Sequence, residues 1–356
     1  MTRTGVPLVT VVMAVRNEGA FLEKSLGSVL AQDYPAGRLE IILADGMSED
    51  GTRAAAEAMR ARHPGLTVID NPGRVGAAGL NAAIRRARGD VVVRVDGHTV
   101  IAPDYVRQCV EALERTGADN VGGRMNAVGA GPFGEAVALA TSSPFGVGGA
   151  RFHYSADEEW VDTVYLGAWR RDVFDRIGLF DEELVRDQDD EFNYRLRAAG
   201  GRVLLTPAVQ SLYTVRGRPA RLWRQYFEYG LWKVRVLQKH PRQMQPRQFV
   251  PPAFAASLVA LAAGAPFSRA ARWGLAGVGA AYAAANVAAA ASASRRKPAR
   301  LPLVSFAFGI LHLSYGFGFL TGLLRFAGRW RDPRGASGRA PFTAAAAAPG
   351  RMERKS

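Results

Sequence analysis

The chain has 356 residues and a formal charge of +14, from 46 Lys and Arg against 32 Asp and Glu. That length exceeds one compact core of ordinary size, so two regions are expected, and the basic balance calls for an anionic partner: nucleic acid, a phosphorylated ligand or an anionic membrane face. A single cysteine, Cys109, excludes an intrachain disulfide.

The first apolar run, "VPLVTVVMAV", reads as a buried strand rather than a secretory signal, because it runs straight into Arg16-Asn17-Glu18 with no small-residue cleavage site. Leu22, Leu26, Val29 and Leu30 then follow at helical spacing. "LEIILAD" is the next strand and ends in Asp45; "GTRAAAEAMRARH" is helical, "LTVID" strand, "AAGLNAAIRRARG" helix and "DVVVRVD" strand. Strands alternating with helices predict a mainly parallel α/β sheet covered on both faces. Such sheets gather ligands at the carboxyl ends of their strands, which puts Asp45 and Asp96 on one rim.

Composition changes near residue 215. Residues 216–247 carry nine Lys or Arg and one acid, Glu228, interleaved with Trp223, Tyr226, Tyr229 and Trp232. Such a stretch suits nucleic acid or a membrane surface. The sequel favours the membrane: 250–267, 273–293 and 301–324 contain no Asp, Glu, Lys or Arg, and each approaches the ~20 residues that span a bilayer. Pro251, Pro252 and Pro266 shorten the first, leaving an interfacial or re-entrant helix as its alternative. The division expected is 1–215 catalytic, 216–249 basic aromatic interfacial segment, 250–324 two or three transmembrane helices, and 325–356 basic disordered tail. The basic linkers support a cytoplasmic catalytic part and a multi-pass cell-membrane protein but do not place the C-terminus.

Four stretches carry residue types fit for chemistry. "ADGMSEDGT", 44–52, offers turn and cap residues, or an Asp45 that binds a nucleobase or ribose. "NPGRVGAAGLN", 71–81, has neither a dinucleotide nor a P-loop spacing, though a glycine loop entering a helix can approach a phosphate. Asp96-Gly97-His98 sets an acid and an imidazole two apart; they suit Mg²⁺ or Mn²⁺, while a strand-ending turn with a surface histidine is the plainer reading of that triplet alone. "VRDQDDEFNYRLRAAGG", 185–201, puts acids first and bases last, as the helix dipole prefers, and leaves carboxylates to spare for a general base.

In this order the motifs resemble family 2 glycosyltransferases of the GT-A fold, and within them bacterial membrane enzymes of succinoglycan biosynthesis. The resemblance covers about residues 7–240. It implies a GT-A Rossmann-like mixed sheet flanked by helices, followed by C-terminal transmembrane helices. It implies nucleotide-sugar contacts at Glu18, Asp45, Arg74, Gly76, Asn81 and Asp96. Ala44 stands where many members have a second Asp. Asp96 and His98 occupy the Asp-x-Asp position and would hold the divalent cation, Mg²⁺ or Mn²⁺. Aligned on Arg195, Asp189 takes the place of the catalytic base, with Gln188 replacing the usual Glu; Gly167, Trp169 and Asp190 fall on the acceptor side. The Gln-x-x-Arg-Trp motif of processive members has no clean match, so processivity is not expected. The implied activity is inverting transfer of a hexose, from UDP-glucose or a similar donor, to a lipid-linked (polyprenyl diphosphate) saccharide in exopolysaccharide or cell-envelope glycan synthesis. The alternatives are a polyprenyl-phosphate glycosyltransferase and a non-catalytic membrane scaffold with a degenerate transferase domain. A nucleic-acid partner is not expected.

Overall fold

The computed structural model describes residues 5–35 and 37–331; the expected disordered tail lies outside them from residue 332 onward. Its first half alternates as the apolar pattern dictates: β1 (Val9–Val15), α1 (Gly19–Leu30), β2 (Leu39–Asp45), α2 (Thr52–Arg60), β3 (Leu66–Asp70), α3 (Gly76–Arg86) and β4 (Val91–Arg94). These four strands are all parallel, in the order β3-β2-β1-β4. β1 shows why its run is continuously apolar. Val9, Val11, Met13 and Val15 pack on α1 residues Leu22, Leu26 and Val29. Val12 faces the other way, onto Ala77, Leu80 and Ile84 of α3. Both faces are buried, so both need apolar residues.

The second half is less regular. β5 (Thr99–Ile101), α4 (Tyr105–Thr116), β6 (Asn120–Val128), α5 (Gly131–Thr141), α6 (Pro144–Val147), β7 (Glu159–Val161), β8 (Tyr165–Arg170), α7 (Asp172–Ile177), α8 (Gln188–Ala198) and β9 (Val203–Thr214) follow. β8 inserts between β4 and β6, antiparallel to both; β6 and β9 are parallel; β5 and β7 pair antiparallel with β9. The sheet is therefore mixed, and only its first half is the parallel sheet that alternation predicts.

Four long helices complete the described chain: α9 (Pro219–Lys239), α10 (Val250–Gly264), α11 (Arg269–Ala293) and α12 (Leu301–Arg325). α11 and α12 are long and apolar enough to cross a membrane. α10, at 15 residues, is not, so the candidates number two, not three. No packing boundary falls at residue 215. Lys233, Arg235 and Lys239 of α9 are buried in ion pairs with residues before 215, Arg235 Nε lying 2.6 Å from Glu183 Oε1 and Lys239 pairing with Asp181 and Glu183. One core joins Met125 of β6 and Val137 of α5 to Val304 and Phe308 of α12.

α9 and α12 pack closely through glycines. A Cβ on Gly318 would lie 2.1 Å from the carbonyl oxygen of Phe227, and one on Gly230 would lie 2.0 Å from that of Tyr315. Only hydrogen fits there. Gly318→Val should therefore force the helices apart at about 1–3 kcal/mol and lower the melting temperature of the detergent-solubilised chain by several degrees. An unchanged melting temperature would contradict this contact.

Candidate active site

The rim is set by strand register. Val15, Asp45 and Asp70 are aligned partners at the ends of β1, β2 and β3, and Arg94 ends β4 beside Val12. Asp45 is buried and accepts from the Ser48 backbone N–H (3.2 Å) and hydroxyl (2.6 Å), which fixes the turn after β2. Glu18 opens α1, its backbone N–H donating to Thr52 Oγ1 at 2.8 Å. Arg74, in the left-handed region at φ 58°, and Gly76, first residue of α3, lie exposed in the glycine loop.

Arg94 is a charge placed at the end of a buried strand, and the structure shows its partners. Its Nε donates to Asp96 Oδ1 at 2.8 Å, and Nη1 donates to Asp189 Oδ1. Residues two apart share a strand direction, so Arg94 and Asp96 reach the same side. α8 points its first turn at them. Burial and the nearby Asp96 and Asp190 carboxylates push Asp189 up to about 6, against the opposing pull of Arg94. Burial pushes Asp96 the same way, but Arg94, His98 and Arg186 outweigh it, and its net shift is downward.

Gly97 is required between Asp96 and His98 by close approach. A Cβ there would sit 2.9 Å from Val15 Cγ1 and 3.0 Å from Glu18 Cγ. The tight turn, closed by the Thr99 N–H to the Asp96 carbonyl at 3.0 Å, brings His98 Nδ1 within 3.0 Å of Glu18 Oε1. With Nδ1–H donating to that carboxylate, the lone pair of Nε2 is left for a ligand, as second-shell carboxylates do for metal-binding histidines. Among the described residues, neither His98 Nε2 nor Asp96 Oδ2 has a hydrogen-bond partner, and no group of three or more His, Cys, Asp or Glu stands ready to enclose a metal. The donor set fits a cation that takes one or two protein ligands and completes its shell with substrate phosphate oxygens, the habit of Mg²⁺.

α8 is held from its other side by Lys233 of α9. This lysine is 4% exposed and bridges Asp187 Oδ1 at 2.8 Å and Asp190 Oδ2 at 2.5 Å. Asp187 precedes α8 in a left-handed conformation, φ 62°; burial raises it to about 6, with Lys233 opposing. Burial disfavours the Asp190 carboxylate too, but Lys233 outweighs it and lowers its pKa.

These groups line a cavity of ≈ 740 Å³ together with Arg186, Tyr165 and Tyr229, and Phe145, Val250, Phe254 and Leu311 add an apolar part to its wall. Three residues expected at the site, Trp169, Asn81 and Gly167, are elsewhere. Trp169 is 1% exposed and packs among Phe174, Phe180 and Phe192 in the core. Asn81 spends its amide on Phe180 N and O and on Glu182, which anchors the 180–182 loop. Gly167, at φ 118°, lets β8 pass the Trp169 ring, 2.4 Å from where a Cβ would stand. From the same strand it is Tyr165 that reaches the cavity, 2.5 Å from Thr99 Oγ1. Lys233 and Tyr165 were missed by sequence reasoning. A lone lysine within "YGLWKVRVL" was the available signal for the first; nothing local marked the second.

The family model Glycosyl transferase family 2 matches residues 10–178. Succinoglycan biosynthesis protein ExoA of Rhizobium meliloti (strain 1021) is 31% identical over 326 residues, 90% of this chain and 96% of that protein. The chain belongs to glycosyl transferase family 2. It is a glycosyltransferase of the GT-A fold. Another family 2 relative, the dolichyl N-acetyl-alpha-D-glucosaminyl phosphate 3-beta-D-2,3-diacetamido-2,3-dideoxy-beta-D-glucuronosyltransferase of Methanococcus voltae, is 25% identical over 239 residues, 65% of this chain and 74% of that protein. Among solved structures, mannosyltransferase PcManGT from Pyrobaculum calidifontis, in complex with GDP-Man and Mn²⁺, shares the fold at a TM-score of 0.59 and 23% identity, over 90% of this chain and 88% of that one.

Asp189 ionises near pH 6 with Arg94 beside it. If it is needed as a carboxylate, kcat/KM should fall on the acid side of about 6, and Arg94→Gln, which removes the cation that favours the charged form, should move that limb to higher pH. A pH profile with the limb unmoved, or moved down, would contradict the coupling.

Proposed function

We propose that this glycosyltransferase moves a hexose from a nucleotide sugar, UDP-glucose or a similar donor, onto a lipid-linked saccharide at the cytoplasmic face of the cell membrane, in exopolysaccharide or cell-envelope glycan synthesis. The observation that carries the reading is the single cavity with two characters. Carboxylates and arginines line part of its wall, and aromatic and aliphatic residues of α10 and α12 line another part. A lipid-linked sugar has the same two characters. The names of the Rhizobium and Methanococcus relatives, one a polysaccharide-biosynthesis protein and the other acting on a dolichyl phosphate-linked sugar, support that class of acceptor.

The chemistry follows from the chain's own residues. Asp189, a carboxylate poised near neutrality, takes the proton of the acceptor hydroxyl as that oxygen attacks the anomeric carbon. The bond to the nucleoside diphosphate breaks on the opposite side, its electron pair leaves with the phosphate oxygen, and the configuration inverts. Arg94 keeps Asp189 charged and aimed. Lys233 holds the first turn of α8, and with it Asp189, against α9. Arg74 and Gly76 are exposed on the rim on which the nucleotide would lie, with Glu18 beside them and Asp45 buried beneath, holding the turn after β2. When bound, a divalent cation held by Asp96 and His98 would neutralise charge on the departing diphosphate. Asp190, tied to Lys233, orders the acceptor side without exchanging a proton.

Asp189→Asn tests the assignment. Turnover should fall by about 10²–10⁴-fold, the usual worth of a general base, with the donor dissociation constant nearly unchanged. Turnover within a few-fold of the parent would refute Asp189 as the base. Comparing polyprenyl phosphate with polyprenyl-diphosphate-linked sugar as acceptor separates this function from lipid monophosphosugar synthesis.

A further inference from the structure

α12 has the length and apolarity of a membrane span, yet it is fastened to the catalytic part along its whole course. Just before its start, Lys297 and Arg300 each lie 3.1 Å from Glu135 of α5. Val304, Ala307 and Phe308 share a core with Ala136, Val137 and Ala140 of α5. In mid-helix His312 Nε2 lies 2.8 Å from the Phe145 carbonyl. Beyond that, Gly318 and Gly322 press on α9. Just past its end, Gln238 donates to the Phe326 carbonyl and Arg329 stands 2.8 Å from Glu183.

Twenty-five residues extend about 37 Å, more than the ~30 Å hydrocarbon core. Standing upright, α12 would put one tethered end on each side of the bilayer. It would also draw Lys233, Arg235 and Lys239 of α9, with their carboxylate partners, into hydrocarbon, where charged groups are strongly disfavoured. The surface pattern agrees. Pro302, Phe306 and Leu324 are exposed and Leu313, Phe317 and Leu320 half-buried along one side, while Val304, Phe308, Leu311, Gly318 and Gly322 are buried on the other. Phe306 and Leu324, 53% and 81% exposed, are eighteen residues apart, five full turns, and so share one face. One side of α12 is covered by protein and the other is an apolar stripe running its length.

The α10–α11 hairpin meets the same limit. Tyr282 of α11 is bound to His312 at 2.9 Å and stacked on Phe254. From residue 281 back to 269 α11 is mostly exposed. That free stretch extends about 20 Å, less than the ~30 Å core. Near its tip stand Phe267, 90% exposed, and Trp273, with exposed Arg269 and Arg272. The arginines are excluded from mid-bilayer by charge and from the far headgroups by length. The near interface is what remains.

We propose that α10, α11 and α12 form an in-plane platform seated in one leaflet of a lipid bilayer, and that none of them crosses it. The proposal rests on the membrane reading above and replaces the expected multi-pass arrangement with contact from one side. It would bring the apolar part of the cavity wall to leaflet depth, where a lipid-linked acceptor can enter sideways.

Cysteine labelling of the full-length chain in native membranes tests it, since the one native thiol, Cys109, is buried. Arg62→Cys on the catalytic part, Arg296→Cys between α11 and α12, and Phe267→Cys at the hairpin tip are each exposed to a membrane-impermeant maleimide in right-side-out and inverted vesicles. Pro266→Cys substitutes if Phe267→Cys does not accumulate. The expected result is labelling of Arg62→Cys and Arg296→Cys from the same face, with the tip labelled from that face or from neither. A tip labelled only from the opposite face overturns the platform and leaves the membrane reading standing. A chain recovered in the soluble fraction after lysis overturns both.

Discussion

The architecture of the site depends on one guanidinium at the end of a buried strand. Arg94 draws together Asp96 from the strand's own continuation and Asp189 from the first turn of α8, two carboxylates that would repel each other without it. Burying such a group is tolerable only because it is paired, and removing a partner from a buried pair typically costs about 3–5 kcal/mol. Lys233 repeats the device from the opposite side, between Asp187 and Asp190. The acid-rich start of α8 is thus clamped between the sheet and α9. The geometry of the proposed base is a consequence of the same two cations.

That arrangement explains what was legible in the sequence. Three of the four parallel strands, β1, β2 and β4, announce themselves because they are largely buried on both faces and read as apolar runs, whereas β3 at the sheet edge leaves Thr67 exposed. Asp45 and Asp96 stand at or just past the carboxyl ends of β2 and β4. The antiparallel half does not: β5 and β7 have three residues each, and β8 finds its place between β4 and β6 through pairing no local pattern encodes. The acids of 187–191 were visible as a cluster, and the resemblance singled out Asp189. Nothing in the spacing revealed that Arg94, ninety-five residues earlier, would be its partner. Trp169 shows the converse. A large aromatic in a functional-looking segment belongs to the core, where Phe174, Phe180 and Phe192 from later elements surround it.

The proposed chemistry and the proposed membrane contact meet at α9. Its Lys233, Arg235 and Lys239 are turned inward onto Asp181, Glu183, Asp187 and Asp190, while Gly230 on α9 and Gly318 and Gly322 on α12 let the two helices approach closely. The apolar helices therefore form a wall of the cavity rather than a detachable anchor. Such a wall suits the proposed lipid-linked acceptor, whose sugar would reach Asp189 while its lipid stayed in the leaflet.

The most direct test of this account is the anomeric configuration of the product. A single displacement with Asp189 as base requires inversion, so an α-linked nucleotide sugar should give a β-linked glycoside, read by NMR of the isolated product. Retention would mean that a carboxylate attacks the sugar as a nucleophile, and would contradict the role assigned to the Arg94–Asp189 pair.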